Sequence, residues 1–259
     1  MTLDALIFDV DGAMAETEEA HRRAFNEAFA AAHLPWYWDE PLYARLLDVT
    51  GGKERIRRFI DAHGARPDLD PAAVARLHTD KTARYAALVA TGQVALRPGV
   101  ARLLAEAEAA GLRLAIATTT QPADVYTLLR ATLGPEAVAR FAVIAAGDDV
   151  PAKKPAPGIY QLALERLRLP PRCCIAFEDT VNGLRSAAAA GIATVVTTSC
   201  HGGTEGFEGA LAVVDGLGQA GAPCRVLRGP PLDGPAVTLA DLRRWLPRGP
   251  GAALPSPSA

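Results

Sequence analysis

Two carboxylates stand at the end of the first apolar run of the chain, where Leu3-Asp4-Ala5-Leu6-Ile7-Phe8-Asp9-Val10 leads into Asp11 and Gly12. Alternate side chains of an extended segment share a side, so Asp9 and Asp11 emerge together. Two carboxylates leaving an apolar strand together are costly unless a cation or a proton compensates them. An Asp-Gly step is also an ordinary strand-end turn. A second acidic pair, Glu178-Asp179, closes the apolar run Cys173-Cys174-Ile175-Ala176-Phe177. If the two ends converge, they form a cluster of hard oxygen ligands of the kind that suits Mg2+. The other reading is that Asp179 and Thr180 cap the helix that follows.

Two further groups have the chemistry of an anion site. Thr118-Thr119-Thr120 closes the apolar run from Leu112. Hydroxyls and free backbone N–H groups at a strand-to-helix turn can hold phosphate oxygens, although threonine also serves there as a strand former or a cap. Lys153-Lys154-Pro155 precedes a helix, and Pro155 and Pro157 stiffen the turn, which aims a lysine. An aimed lysine can neutralise charge on a transferring phosphoryl group, whereas an unaimed pair is a solvated surface feature.

Such residues need strand ends to stand on. Besides residues 3–10, short apolar runs at 112–118, 141–146, 173–177 and 192–197 read as buried strands. Helical periodicity separates them. Val100, Leu103, Leu104 and Ala107 share one face of a helix over 98–110, with Pro98 at its first position and Gly111 at its end. Further helices are expected over 157–168 and 182–190. This alternation predicts an α/β fold, a Rossmann-like doubly wound parallel sheet. Ligands of such sheets bind outside the carboxyl ends of the strands, where all four groups fall. Between the first and second strands lie helical patterns at 18–32, 40–48, 53–62 and 71–91, which predict an inserted, mostly helical cap domain. The expected division is a discontinuous core of residues 1–14 and 96–245, a cap of 15–95, and a flexible tail of 246–259, after a Gly- and Pro-rich stretch from about 199.

Composition narrows the function classes. The 259 residues are 49% hydrophobic, enough for a sizeable core, and carry 27 basic and 29 acidic side chains. The balanced charge argues against a non-specific nucleic-acid binder. Cys173, Cys174, Cys200 and Cys224 form no CxxC pair, which argues against structural zinc and for a reducing, cytoplasmic setting with core thiols. The first apolar run is short and acidic, unlike a signal peptide, and no run approaches the length of a membrane span. No heptad or broad apolar helix face demands a partner, so a soluble monomer is expected.

The order D-x-D, Thr, Lys-Pro, Glu-Asp, each at or just beyond a successive strand end, resembles the four motifs of the haloacid dehalogenase superfamily of phosphotransferases over roughly residues 3–200. Within it the chain is similar to the branch with a helical cap after the first motif, which includes β-phosphoglucomutases and CbbY-type phosphatases. The stretches from Ala15 to Glu27, Trp36-Tyr37-Trp38-Asp39 and Thr50-Gly51-Gly52-Lys53-Glu54-Arg55 look like the CbbY side. CbbY-type proteins accompany the Calvin-cycle carboxylase and dephosphorylate its inhibitor, xylulose 1,5-bisphosphate. The resemblance implies hydrolysis of the 1-phosphate of that sugar to give xylulose 5-phosphate. It implies Asp9 as nucleophile and Asp11 as general acid and base. Thr118, the Thr119 N–H and Lys154 would hold the transferring oxygens. Mg2+ would be held by Asp9, the Asp11 carbonyl, Asp179 and, directly or through water, Glu178. In the cap, Gly51, Gly52 and Lys53 would cradle a second phosphate, and Glu18 and His21 would face the sugar hydroxyls. Trp36 and Trp38 are expected to pack the cap. The first motif usually reads Asp-x-Asp-Gly-Thr, and Ala13 stands here in place of the threonine, which leaves the chemistry in place and the rate open.

Three rivals remain in view. A phosphosugar mutase like β-phosphoglucomutase would share Asp9 and Asp11, and a non-catalytic sugar-phosphate sensor would keep only the pocket. The dinucleotide-like Gly216-Leu217-Gly218-Gln219-Ala220-Gly221 lacks the helix that such a fingerprint must open, because Pro223 and Cys224-Arg225-Val226-Leu227 follow it.

Overall fold

The computed structural model describes residues 2–64, 69–199 and 206–246. Five strands form the parallel body of a seven-stranded sheet: β1 Ala5–Phe8, β2 Arg113–Ala117, β3 Phe141–Ala145, β4 Cys174–Glu178 and β5 Ala193–Thr197. Two short strands, β6 Ala212–Val214 and β7 Val226–Arg228, extend it. The spatial order is β3-β2-β1-β4-β5-β6-β7, with only β6–β7 antiparallel. The chain winds one way from β1 to β3 and the other way from β4 on. The switch point therefore lies between β1 and β4, where α/β sheets bind ligands. Register brings the site together: Phe8 pairs with Ile116 and with Phe177, so Asp9 comes beside the ends of β2 and β4.

Alternation along the strands fills two cores. Leu6, Phe8, Leu114 and Ile116 face α5 (Val100–Ala109) and α6 (Pro122–Leu133). Ala5, Ile7, Ala115 and Ala117 face α7 (Gly158–Leu167) and α8 (Val181–Ala189). The small residues on that second face let the Tyr160 ring approach the sheet. Cys174 and Cys224 are buried free thiols and Cys173 is half-buried; Cys200 lies outside the described residues.

Between β1 and β2 run α1 (Glu18–Ala31), α2 (Glu40–Leu46), α3 (Gly52–His63) and α4 (Pro71–Ala90). Their starts follow from local chemistry. Asp39 and Asp70 accept from the N–H groups of Leu42 and Ala73, and a proline stands in the first turn of α2 and of α4. The helices share an apolar cluster of their own in which Phe25, Phe29, Trp36, Trp38 and Phe59 interdigitate. Burial of Phe25 or Phe29 contributes about 2–3 kcal/mol each. Both segments joining this insert to the core meet at a bridge between Ala15 and Leu96.

Three expectations change. Helix α5 begins at Val100, not Pro98, because Gly99 is its N-cap with φ +89 and a Cβ there would lie 2.3 Å from the Gly218 carbonyl oxygen. The Gly- and Pro-rich stretch after 199 carries β6, β7 and α9 (Leu239–Trp245), the helix held by a capping box of Thr238 and Asp241. Leu246, assigned to the tail, is buried on the core, while the rest of that tail lies outside the described residues. Residues 216–221 form no nucleotide turn: Gln219 and Ala222 pair with each other in a tight bridge. Among the described residues no helix is long and apolar enough to cross a membrane.

Candidate active site

A cavity of about 470 Å³ opens at the carboxyl ends of β1, β2 and β4, under the helical insert. The core lines it with Asp9, Asp11, Thr118, Thr119, Lys154 and Asp179. The insert lines it with Glu18, His21, Gly51, Gly52 and Lys53. Glu178 does not line the cavity. It lies fully buried beneath its floor.

Lys154 reaches this floor from the loop between β3 and α7. Its Nζ donates to Asp9 Oδ1 at 2.7 Å, to Glu178 Oε1 at 2.6 Å and to the Ala117 carbonyl at 2.9 Å. Tyr160, from α7, donates its hydroxyl to the same Glu178 oxygen at 2.5 Å. This accounts for one half of Glu178. Among the described residues its Oε2 has no hydrogen-bond partner, and neither does Asp179 Oδ1. Ligand oxygens of Asp9, Glu178 and Asp179 lie within 4.8 Å of one another. Two glycines make room for this crowd. A Cβ on Gly12 would lie 1.8 Å from Asp179 Oδ2, and one on Gly183 would lie 1.8 Å from Glu178 Oε2. Thr180, not Asp179, caps α8 by accepting from the Gly183 N–H at 3.0 Å. The Asp179 carboxylate is thereby free of that duty.

The charges do not balance. One ammonium faces three carboxylates. Burial, together with Glu178 and Asp11, raises the Asp9 carboxyl to about 7 despite Lys154. Burial, with Asp9 and Glu178, lifts Asp179 well above the usual range. Burial alone would lower Lys154, but Asp9 and Glu178 outweigh it and hold its charge firmly. Two unpartnered oxygens in an over-acidic oxygen cluster fit a hard divalent cation.

Asp11 has a separate set of partners. Thr17 donates to its Oδ1 at 2.5 Å, and His21 Nε2 lies 3.2 Å from the same oxygen. The Thr120 hydroxyl bonds to Oδ2. Burial would raise this carboxyl, but the imidazole and the two hydroxyls outweigh it and hold it well below the usual range. The motif-based reading names neither Thr17 nor Thr120 as a partner of Asp11. Three threonines in a row look alike in sequence, and only the fold shows which hydroxyl turns to Asp11.

The residues of the insert also differ in detail from expectation. Glu18 lines the cavity. It accepts from the Tyr43 hydroxyl at 2.7 Å, and Arg22 pairs with Glu19. His21 turns to Asp11 on one side and to Lys81 on the other, with Lys81 Nζ 2.7 Å from its Nδ1. Gly51 and Gly52 open α3, the first with φ +99, while a Cβ on the second would meet the His78 ring at 2.4 Å. Burial and the nearby Lys81 and Lys53 push that imidazole down to about 3, so it lies neutral against the cavity. Lys53 is partly exposed and spends its charge on Asp148, 3.1 Å away across the cavity mouth. Trp36 and Trp38 pack inside the insert. Ala13 is buried beside the first motif.

Arg97, at the foot of the insert, is a further residue with no motif. Its guanidinium bonds to the carbonyls of Gly12, Thr197, Thr198 and Asp215 and pairs with Glu16 at 3.3 Å. It thus ties the loop after Asp11 to the ends of β5 and β6.

The sequence profile of haloacid dehalogenase-like hydrolases matches residues 3–191. CbbY of Cereibacter sphaeroides is 50% identical over 219 residues, covering 85% of this chain and 94% of that protein. The plasmid-borne CbbY of Cupriavidus necator is 51% identical over 224 residues, covering 85% of this chain and 88% of that one. The crystal structure of a CbbY variant from Rhodobacter sphaeroides with xylulose 1,5-bisphosphate superimposes with a TM-score of 0.80 at 49% identity, covering 85% of this chain and 99% of that one. A β-phosphoglucomutase from Clostridium difficile, 21% identical with a TM-score of 0.69, covers 83% of this chain and 92% of its own and shares the fold. The chain belongs to the haloacid dehalogenase-like hydrolases and, within them, to the CbbY proteins.

Proposed function

We propose that this phosphatase hydrolyses the 1-phosphate of xylulose 1,5-bisphosphate, giving xylulose 5-phosphate and inorganic phosphate. The observation that carries the reading is a cavity with phosphate-binding chemistry at both ends. Lys154, Thr118 and Asp9 stand at the core end, and Gly51, Gly52 and Lys53 at the opposite end, on the helical insert. A relative similar along its whole length binds that bisphosphate. On this reading residues 15–95 are a cap that selects the sugar, and 1–14 with 96–245 are the core that performs the chemistry.

Asp9 Oδ attacks phosphorus, the bond from phosphorus to the sugar oxygen breaks, and an aspartyl-phosphate forms. Asp11 gives its proton to the departing alkoxide, then takes one from the water that attacks the aspartyl-phosphate, which regenerates Asp9 and releases phosphate. In the substrate-free arrangement Asp11 is a carboxylate. The negative charge of an arriving phosphate raises its affinity for a proton. His21 and Thr17 both donate to Oδ1, so the proton is carried on Oδ2, where it sits beside the Thr120 hydroxyl. Lys154, Thr118 and the Thr119 N–H hold the transferring oxygens. Mg2+, held by Asp9, Asp179, Glu178 and the Asp11 carbonyl, would supply the positive charge that one lysine cannot. Glu18 lies on the cavity wall within reach of the sugar hydroxyls.

A Mg2+-dependent phosphate-release screen over glucose phosphates and ketopentose bisphosphates tests the proposal. Release from the bisphosphate is expected, and isomerisation of glucose phosphates without release would assign a mutase instead. Asp9→Asn is expected to abolish turnover with the fold intact, and a near-normal rate would sink the nucleophile assignment.

A further inference from the structure

Asp124, a buried carboxylate of the core, has no part in the steps above. It lies in the first turn of α6, 3% exposed. Its Oδ1 has no hydrogen-bond partner among the described residues, and its Oδ2 lies 3.9 Å from Lys81 Nζ. Lys81 comes from α4 of the insert and is 4% exposed. Its ammonium rides 5.2 Å from the Phe25 ring centre and 5.1 Å from that of Tyr85. His21, 2.7 Å from that ammonium, stacks on Tyr85 with ring centres 4.0 Å apart and faces Asp11 with its other nitrogen. Asp124, Lys81, His21 and Asp11 form an unbroken line. Its two ends stand on the core and its two middle members on the insert.

The order of charges along this line decides what His21 shows to Asp11. An ammonium donates and cannot accept. Opposite Lys81, His21 Nδ1 must therefore accept, and the ring hydrogen sits on Nε2, pointing at Asp11 Oδ1. A neutral amine at Lys81 could accept instead. The imidazole could then carry its hydrogen on Nδ1, and Nε2 would turn a lone pair toward an oxygen lone pair. Burial pulls Lys81 toward that neutral form, and Asp124 is the foremost group opposing it. We infer that Asp124 is a positioning residue for the general acid, acting through Lys81 to fix the His21 tautomer that donates to Asp11 Oδ1, so that Oδ2, held by the Thr120 hydroxyl, is the oxygen that turns to the leaving group. This rests on the reading of Asp11 as general acid.

Leaving-group dependence separates this role from a structural one. An alkoxide needs a proton to depart, whereas p-nitrophenolate does not. The ratio kcat/KM reports the steps up to departure. Asp124→Asn is expected to lower kcat/KM about tenfold for xylulose 1,5-bisphosphate, or for whichever sugar phosphate the release screen returns, as a partial loss of acid catalysis. The loss on p-nitrophenyl phosphate is expected to be several-fold smaller. Lys81→Met should reproduce the discrimination if Asp124→Asn folds poorly. Asp124→Asn combined with His21→Gln should be no slower than His21→Gln alone. Equal losses on the two esters, or additive losses in the double variant, would overturn the inference. Asp11→Asn run in parallel isolates the premise: if it fails to discriminate between the esters, the general-acid reading falls and takes the inference with it.

Discussion

Lys154 Nζ lies 2.7 Å from Asp9 Oδ1, a contact that joins positions 145 residues apart in sequence. The same nitrogen holds Glu178, so a single cation serves two buried carboxylates. Removing one partner of a buried pair costs about 3–5 kcal/mol, because the other charge is left uncompensated. Lys154→Met is expected to lose stability of that order in urea unfolding. It should also lose about 10²–10³ in turnover, since it removes a fixed donor to the transferring group. A stable variant with intact turnover would place Lys154 outside the machinery.

Asp9 gives the metal-free protein a signed dependence on pH. Its carboxyl is raised from 3.8 to about 7, chiefly by burial, so the folded chain keeps a proton that the unfolded chain has lost. The stability tied to that proton is complete below 3.8 and is lost as pH rises through about 7. Asp179 shifts in the same direction. The thermal midpoint of chelator-treated protein should fall across this window, and Mg2+ should restore it while displacing protons. Calorimetric titration in two buffers of different ionisation enthalpy would detect the released protons. A flat thermal profile without metal would contradict the assignment.

Lys53 should separate bisphosphates from simple esters. A hydrogen bond to a charged group contributes about 1.5–3 kcal/mol, which corresponds to a roughly tenfold or greater rise in KM for the bisphosphate in Lys53→Ala. For p-nitrophenyl phosphate the change should be small. Asp148 competes for this lysine at 3.1 Å, so Asp148→Asn is expected to lower KM for the bisphosphate. Equal effects of Lys53→Ala on both substrates would count against a second phosphate site there.

Arg97 should resist replacement even by lysine. Its planar fork serves several carbonyls at once, and an ammonium cannot reproduce that geometry. Arg97→Lys is expected to cost at least about 2 kcal/mol in unfolding free energy, as buried acceptors lose their donor. Urea titration would show it.

How far the residues could be read in advance depended on whether a signal was local. The acids at the ends of β1 and β4 were legible because apolar runs seldom end in paired carboxylates, and the sheet register then brings Asp9 beside Glu178. Strands β6 and β7 were not legible. Each has three residues, and it is their neighbours in the sheet that hold them. Helix α9 is seven residues long and depends on Thr238 and Asp241 rather than on periodicity. Lys81 and Arg97 were missed for another reason. Their partners lie far along the chain, and no spacing rule connects Arg97 with Asp215 or Lys81 with His21. Glu178 was seen as a ligand, but its bonds to Lys154 and Tyr160 required the packing of α7 on the sheet.

The bridge between Ala15 and Leu96 brings the two ends of the helical insert side by side. Seen from the core, the whole insertion is therefore a bulge on a single tight loop. Strand pairing, register and the acidic floor beneath do not depend on what the loop carries outward. Such an arrangement is a socket. A different set of helices spliced in at the same two residues would meet an unchanged floor of Asp9, Lys154, Glu178 and Asp179, but would have to supply Asp11 afresh with the partners that Thr17 and His21 now provide.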